Sequence, residues 1–167
     1  MQASGKLSKR FVRAAGRADR GGASAPVFEP VTEEIVELTL PSRVESVAEA
    51  AGAVADAARR LGFAEDALFG IDMAVREAVT NAVLHGNGGD ESKPVELGLS
   101  GTDDGMVVTV RDRGEGFDPE QVADPTREEN LLKASGRGIL FMRTFMDEVD
   151  WRRHPEGGTV VRMTKRK

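Results

Sequence analysis

The spacing of hydrophobic residues changes between a period of two and a period of about 3.6 along this chain, and the order of these changes limits the available folds. Alternation predicts strands at 31–40, 95–100, 106–111, 149–153 and 159–164. Helical spacing predicts helices at about 44–61 and 64–85, and a third from near Gly138. The order β-α-α-β-β-loop-α-β-β predicts an α+β fold, a two-layer α/β sandwich whose mixed, mainly antiparallel sheet carries helices on one face.

The boundaries between these segments carry their own signals. Pro41 ends the first strand, and Ser42 and Glu45 have the capping-box spacing, which predicts that Ser42 caps the first helix. Gly62 ends that helix, and the run 86–89 ends the second. Residues 112–137 are predicted to be mostly loop, with a short helix near 119–123.

Charge and composition divide the chain into two parts. Residues 1–30 carry a net charge of +4 although the whole chain carries −5, and they predict a disordered basic leader before a domain at 31–167. The acidic domain argues against nucleic acid as the main ligand, and no apolar run approaches the roughly 20 residues of a membrane span. The chain has no cysteine, which excludes thiolate-bound metals and fits a cytoplasmic location.

The second predicted helix contains the first group of candidate functional residues. At about 100° per residue, Glu77, Asn81 and His85 lie on one stripe beside the apolar stripe. An amide oxygen at Asn81 suits a hard cation such as Mg²⁺, and Glu77 can orient or deprotonate a nucleophile. The alternative is a salt-bridged glutamate followed by an asparagine at a fraying helix end.

The segment after the strand at 106–111 contains the second group. Asp112 is placed at the strand end, and Gly114 and Gly116 follow it at positions where a flat ring can approach the main chain. A carboxylate at this position can accept the exocyclic amine of adenine. The alternative is an ordinary tight turn, because aspartate and glycine are common turn residues.

Two further glycine motifs open the last helix and the last strand. Gly136 and Gly138 precede an apolar helix, whose free N–H groups and dipole favour phosphate binding. Lys133 and Arg137 are candidate phosphate contacts beside them, in a polar stretch long enough to act as a lid. Thr159 follows Gly157-Gly158, and it would matter as a hydroxyl near the base.

The four motifs, in this order and context, resemble the nucleotide-binding boxes of the GHKL superfamily, which includes gyrase, MutL, heat-shock chaperones and histidine kinases. The resemblance covers roughly residues 31–165. It implies the Bergerat ATP-binding fold, with ATP and Mg²⁺ as cofactors. It also implies that Asn81 binds Mg²⁺, that Asp112 and Thr159 read adenine, and that Gly114 and Gly116 shape the base pocket. Gly136, Arg137 and Gly138, with Lys133, would contact the phosphates.

Within that superfamily the wording E-A-V-T-N-A-V-x-H-G-N is most similar to the anti-sigma-factor serine kinases of the RsbW type. That resemblance implies a homodimeric kinase that binds a sigma factor and phosphorylates a serine of a STAS-domain anti-anti-sigma protein. Glu77 would then be the general base.

Two other functions stay open at this point. One is a nucleotide-gated binding module with little catalysis, because a fold does not fix function. The other is a detached histidine-kinase ATPase domain, which is disfavoured because His85 and His154, the two histidines, lie at a helix end and in a turn.

Overall fold

The computed structural model describes residues 34–115 and 137–167. In chain order its elements are β1 (Glu34–Leu40), α1 (Glu45–Arg60), α2 (Glu65–Asn81), a π-helical turn (Ala82–Gly86), β2 (Val95–Thr102), β3 (Gly105–Arg111), α3 (Arg137–Phe145), β4 (Glu148–Arg153) and β5 (Thr159–Arg166). This order confirms the predicted succession of elements. The predicted leader and the predicted short helix at 119–123 lie outside the described residues. No helix in the described ranges is long and apolar enough to cross a lipid bilayer.

The strands form one five-stranded sheet in the order β1-β2-β3-β5-β4. Every pairing among the described strands is antiparallel, which confirms the mainly antiparallel sheet and adds that no described pair is parallel. The pairing of β3 with β5 places Arg111 opposite Val160. As a result, the residues that follow β3 meet the residues that begin β5.

The core lies between one face of this sheet and helices α1 and α2. Alternate strand residues point into it, because a strand presents every second side chain to the same face. Leu97 of β2 is paired with Leu38 of β1 and Val110 of β3, and all three are buried. The helices contribute their predicted apolar stripes to the same cluster: Ala51, Val54 and Ala58 from α1, and Ile71, Val75 and Ala78 from α2. The two-layer α/β sandwich is therefore confirmed.

The predicted cap of α1 is wrong. The N-cap residue is Val44, and no side chain caps the helix. Ser42 lies two residues before Val44 and is 1% exposed, and its Oγ donates a hydrogen bond to the carbonyl oxygen of Lys93 at 2.6 Å. The hydroxyl group is used to hold the loop before β2, and it is therefore not available to the helix.

The second helix also ends differently from the prediction. It is α-helical only to Asn81, and residues 82–86 form the wider π turn, in which the N–H of Asn87 bonds to the carbonyl of Ala82 at 2.8 Å. The four-residue spacing of an α-helix therefore does not extend from Asn81 to His85. The imidazole is exposed, so the predicted stripe consists of Glu77 and Asn81 alone.

Candidate functional site

The first glycine of α3 lies directly against the Glu77–Asn81 stripe of α2. A Cβ atom built on Gly138 would be 2.5 Å from Oε2 of Glu77 and 3.6 Å from Nδ2 of Asn81. A side chain at 138 would displace the flexible end of Glu77, so the present position of the carboxylate depends on glycine here. It brings together three of the predicted site residues from two different motifs.

Neither polar side chain of this stripe is engaged by the rest of the described protein. Both are partly exposed, and neither the carboxylate of Glu77 nor the amide of Asn81 has a hydrogen-bond or ion-pair partner among the described residues. The neighbouring cation, Arg76, donates instead to Asp72 at 2.7 Å. That hydrogen bond raises the pKa of Arg76 above its ordinary value. No described residue therefore supports the alternative of a salt-bridged Glu77.

Asp112, directly after β3, is the second candidate functional residue that the structure describes. It is 5% exposed, and its Oδ1 accepts hydrogen bonds from the N–H of Gly114 at 2.9 Å and of Thr159 at 3.2 Å. Its own N–H donates to the carbonyl of Thr159 at 3.0 Å. No described residue donates to Oδ2, so one carboxylate oxygen is fixed by hydrogen bonds and the other has no partner in the described protein.

Close backbone approaches surround this carboxylate on two sides. A Cβ atom on Gly86 would be 2.6 Å from Oδ2 of Asp112, and one on Gly114 would collide with the carbonyl oxygen of Gly86. Gly158 has a φ of 84°, and a Cβ there would collide with the carbonyl oxygen of Asp112. Glycine is required at these positions because backbone, and not side chain, packs against the aspartate.

The π turn explains how the end of α2 reaches Asp112. A π turn holds more residues than an α turn, and such turns are frequent at functional sites. Here it carries Gly86 away from the helix axis and against the aspartate. The end of the helix that carries Glu77 and Asn81 is therefore in direct contact with Asp112 through Gly86, which the sequence indicated only as a helix stop.

Asn87 is a site-supporting residue that the sequence did not reveal. It is 3% exposed, and its Oδ1 accepts a 2.6 Å hydrogen bond from the N–H of Arg113, the residue after Asp112. Within the run Gly86-Asn87-Gly88-Gly89, an asparagine is read as an ordinary turn residue. A hydrogen bond to a residue 26 positions away leaves no signal in that local pattern.

Charged side chains on the face of the sheet that the helices do not cover anchor the segment after β3. Glu96 of β2 pairs with Arg111 at 3.2 Å and with Arg113 at 2.5 Å. Hydrogen bonding to Glu96 and attraction to its charge raise the pKa of Arg113 above its ordinary value. Arg153 of β4 donates to the carbonyl of Glu115 at 2.7 Å, which ties the end of this segment to the sheet edge.

Several predicted site residues are not tested by the structure. Gly116, Lys133 and Gly136 lie outside the described residues. Arg137 is the first residue of α3, and its side chain is likewise not described. Their predicted contacts with the base or the phosphates stay predictions. Among the described residues, no cluster of three or more histidine, aspartate or glutamate side chains could hold a metal ion by itself.

The described arrangement has the parts of a nucleotide site. The Oδ2 atom of Asp112, which has no hydrogen-bond partner in the described protein, can accept an exocyclic amine. The N-terminus of the nine-residue helix α3 lies beside Glu77 and Asn81, where N–H groups and the helix dipole favour an anion. The carboxylate of Asp112 and the N-terminus of α3 are thus two separate places, and the π turn follows the helix that links them.

Comparison with known proteins also indicates a nucleotide-binding domain. Residues 40–165 match the family described as "Histidine kinase-like ATPase domain". The serine-protein kinase RsbW of Bacillus subtilis is 31% identical over 138 residues, which cover 79% of this chain and 85% of that protein. The anti-sigma F factor of Heyndrickxia coagulans is 37% identical over 135 residues, which cover 78% of this chain and 89% of that protein.

A solved structure is similar in fold. The crystal structure of the RsbU and RsbW domains of a Mycobacterium tuberculosis protein matches 79% of this chain with a TM-score of 0.58. The identity is 19% and the match spans 32% of that longer chain, so it supports the fold alone. The family match and the sequence relatives show that the chain belongs to the histidine kinase-like ATPase family of the GHKL type, in the branch that contains the RsbW serine-protein kinases and the anti-sigma F factors.

Proposed function

We propose that this protein is an ATP-dependent protein-serine kinase and anti-sigma factor that acts by partner switching. The observation that carries the proposal is the contact of Gly138 with Glu77: a carboxylate without a partner in the described protein lies at the N-terminus of a helix. A general base for phosphoryl transfer has to lie near the phosphates and must not be neutralised by an ion pair.

The residues present fit ATP and Mg²⁺. The domain belongs to an ATPase family, and the open Oδ2 of Asp112 matches the amine of adenine. Asn81 would hold Mg²⁺ through its amide oxygen, because this ion is usually bound by one or two protein oxygens together with phosphates and waters. The predicted contacts of Gly116, Lys133, Gly136 and Arg137 belong to the same proposal.

The catalytic role of the chain is mainly one of position and proton transfer. Mg-ATP, when bound, supplies the phosphoryl group and the metal charge that offsets it. Glu77 accepts a hydrogen bond from the serine hydroxyl of a protein substrate at Oε2 and takes up its proton. Gly138 leaves the space that this carboxylate needs, and Asp112 sets the position of the nucleotide through its base.

The proposed partners follow from the relatives. Their names describe serine-protein kinases and anti-sigma F factors, which supports a sigma factor as one partner. We propose a STAS-domain anti-anti-sigma protein as the phosphorylated partner, a homodimer as the active form and the cytoplasm as the location. Nucleic acid and membrane are not among the proposed ligands.

Intact-mass analysis of a STAS-domain partner tests the proposal. The partner is incubated with Mg-ATP and wild-type protein, Glu77→Ala, or Glu49→Ala, a matched control at an exposed position of α1. One phosphate on a serine is expected with the wild type and the control, and none with Glu77→Ala. A stable complex that responds to nucleotide but is never phosphorylated would instead favour the gated binding module. Equal phosphorylation by Glu77→Ala would remove Glu77 as the base.

A further inference from the structure

The buried side chain of Asn87 joins three separate segments of the chain. Its Nδ2 lies within hydrogen-bond distance of Ser42 Oγ at 2.7 Å, the carbonyl of Lys93 at 2.9 Å and the carbonyl of Pro94 at 3.2 Å. Its Oδ1 accepts from the N–H of Arg113 at 2.6 Å. The amide therefore connects the start of α1, the loop before β2 and the residue that follows Asp112.

This amide controls one peptide group in particular. The N–H of Arg113 belongs to the peptide that follows Asp112, so holding it fixes the ψ angle of the aspartate. On the other side, the N–H of Asp112 is held by the carbonyl of Thr159 at 3.0 Å. The aspartate backbone is thus fixed from both sides, by a strand on one and by a side chain on the other.

We propose that Asn87 is a positioning residue for adenine recognition, which it serves by fixing the peptide after Asp112 so that Oδ2 is presented to the base. The inference rests on the proposed adenine role of Asp112. If the peptide rotated, the N–H of Gly114 would leave Oδ1, and the carboxylate would be free to turn. The open oxygen would then no longer have a single direction.

Asparagine is the residue type that this position requires. Its amide offers a donor to the carbonyl oxygens of Lys93 and Pro94 and an acceptor to the N–H of Arg113. Alanine would remove the side-chain partner of the Pro94 carbonyl and of the Arg113 N–H in a buried place, whereas the Lys93 carbonyl would keep the hydrogen bond from Ser42. An unpaired buried donor or acceptor is costly, so the loop is expected to rearrange and not to stay in place.

A double-mutant cycle with Asp112→Asn separates this role from a general structural one. ATP binding in the presence of Mg²⁺ is measured by calorimetry for wild type, Asn87→Ala, Asp112→Asn and the double variant. Asn87→Ala is expected to weaken ATP binding roughly three- to tenfold in the wild-type background, the scale of one hydrogen bond. In the Asp112→Asn background the loss should fall below about twofold, because residues that act through one another are not additive.

Ser92→Ala is the matched control, since Ser92 lies in the same loop but bonds only to exposed Asp90. It should bind ATP as the wild type does. If Asn87→Ala does not fold, Ser42→Ala replaces it in the cycle, because it removes one partner of the amide at a distance from the aspartate. The same direction is then expected, with a loss of about twofold.

Each other outcome overturns the inference in a recognisable way. An equal loss in both backgrounds means that Asn87 does not act through Asp112. Unchanged affinity in Asn87→Ala or its replacement, alongside weak binding by Asp112→Asn, overturns the role of Asn87 and leaves the adenine site in place. Full ATP affinity in Asp112→Asn removes the adenine assignment, and the role of Asn87 with it.

Discussion

Gly138 at the start of α3 and Glu77 near the C-terminal end of α2 are packed so closely that a Cβ atom on the glycine would lie 2.5 Å from Oε2 of the glutamate. The two residues are far apart in sequence and belong to different motifs. Their contact makes the position of the proposed catalytic carboxylate depend on the absence of a side chain at 138.

Gly138→Ala should therefore impair catalysis more than binding. A displacement of the carboxylate by about 1 Å is expected to lower kcat for phosphorylation roughly tenfold to a hundredfold. Steady-state phosphorylation kinetics would measure it. Gly52→Ala in α1 is the matched control, because no atom lies within 4 Å of a Cβ built there. That variant should keep full activity, and a Gly138→Ala enzyme with wild-type kcat would contradict the packing argument.

Asp112→Asn should weaken ATP binding by roughly 1.5–3 kcal/mol, the scale of a hydrogen bond to a charged group. The asparagine oxygen can still accept from Gly114 and Thr159, which leaves an NH₂ group facing the amine of adenine. Two donors would then meet. Guanine has an acceptor at this position, so the preference for ATP over GTP should fall as well. Calorimetric titration with both nucleotides measures the two effects, and unchanged selectivity would count against adenine reading by Asp112.

Gly158→Ala should be more damaging than Gly62→Ala, although the two glycines have nearly the same φ, 84° and 83°. A Cβ on Gly62 meets no atom within 4 Å, whereas one on Gly158 collides with the carbonyl oxygen of Asp112. The left-handed backbone costs about 1–2 kcal/mol in either variant. Urea denaturation should show a larger loss for Gly158→Ala, and only this variant should lose ATP affinity. Equal stabilities would mean that the aspartate moves aside freely.

Asp147→Asn should reduce the dependence of stability on pH at the acid end. The N–H of Arg166 donates to Oδ2 of Asp147 at 2.6 Å, and this bond, with Lys165 at 3.6 Å from Oδ1, lowers the pKa of Asp147. A lowered folded-state pKa gives stability that is present above the unfolded value of about 3.9 and is lost as the pH falls through the folded value.

The free energy of unfolding of Asp147→Asn should accordingly be about 1 kcal/mol lower than that of the wild type at pH 7, a value discounted for exposure of the pair. At pH 3 the difference should shrink. Urea denaturation at both pH values measures it, with Asp150→Asn as the control, an exposed β4 position whose side chain has no hydrogen-bond partner in the described protein. A difference that is constant with pH would exclude the charged hydrogen bond as its cause.

The sequence allowed the succession of elements and the main site residues to be predicted, because both depend on local patterns. The periodicity of hydrophobic residues predicted the strands and helices. The spacing of Glu77 and Asn81, and the glycines that follow Asp112 or precede Thr159, indicated the motifs. The cap at Ser42 and the α-helical spacing of His85 were predicted wrongly for a shared reason. In each case a tertiary contact, with Lys93 or with Asp112 through the π turn, overrode the local preference.

The role of Asn87 could not be predicted, since its four partners lie between 6 and 45 residues away. No periodicity or motif links such positions in a single sequence. Only the folded sheet and the loops beside it bring them to one amide.

The bond between Asp112 and Thr159 spans 47 residues and joins the end of β3 to the beginning of β5. A chain that is still being synthesised has no complete base pocket until β5 has left the ribosome and paired with β3. A fragment that ends before residue 159 would leave Asp112 without its two backbone hydrogen bonds to Thr159, so nucleotide held through this carboxylate would report that β5 has paired with β3.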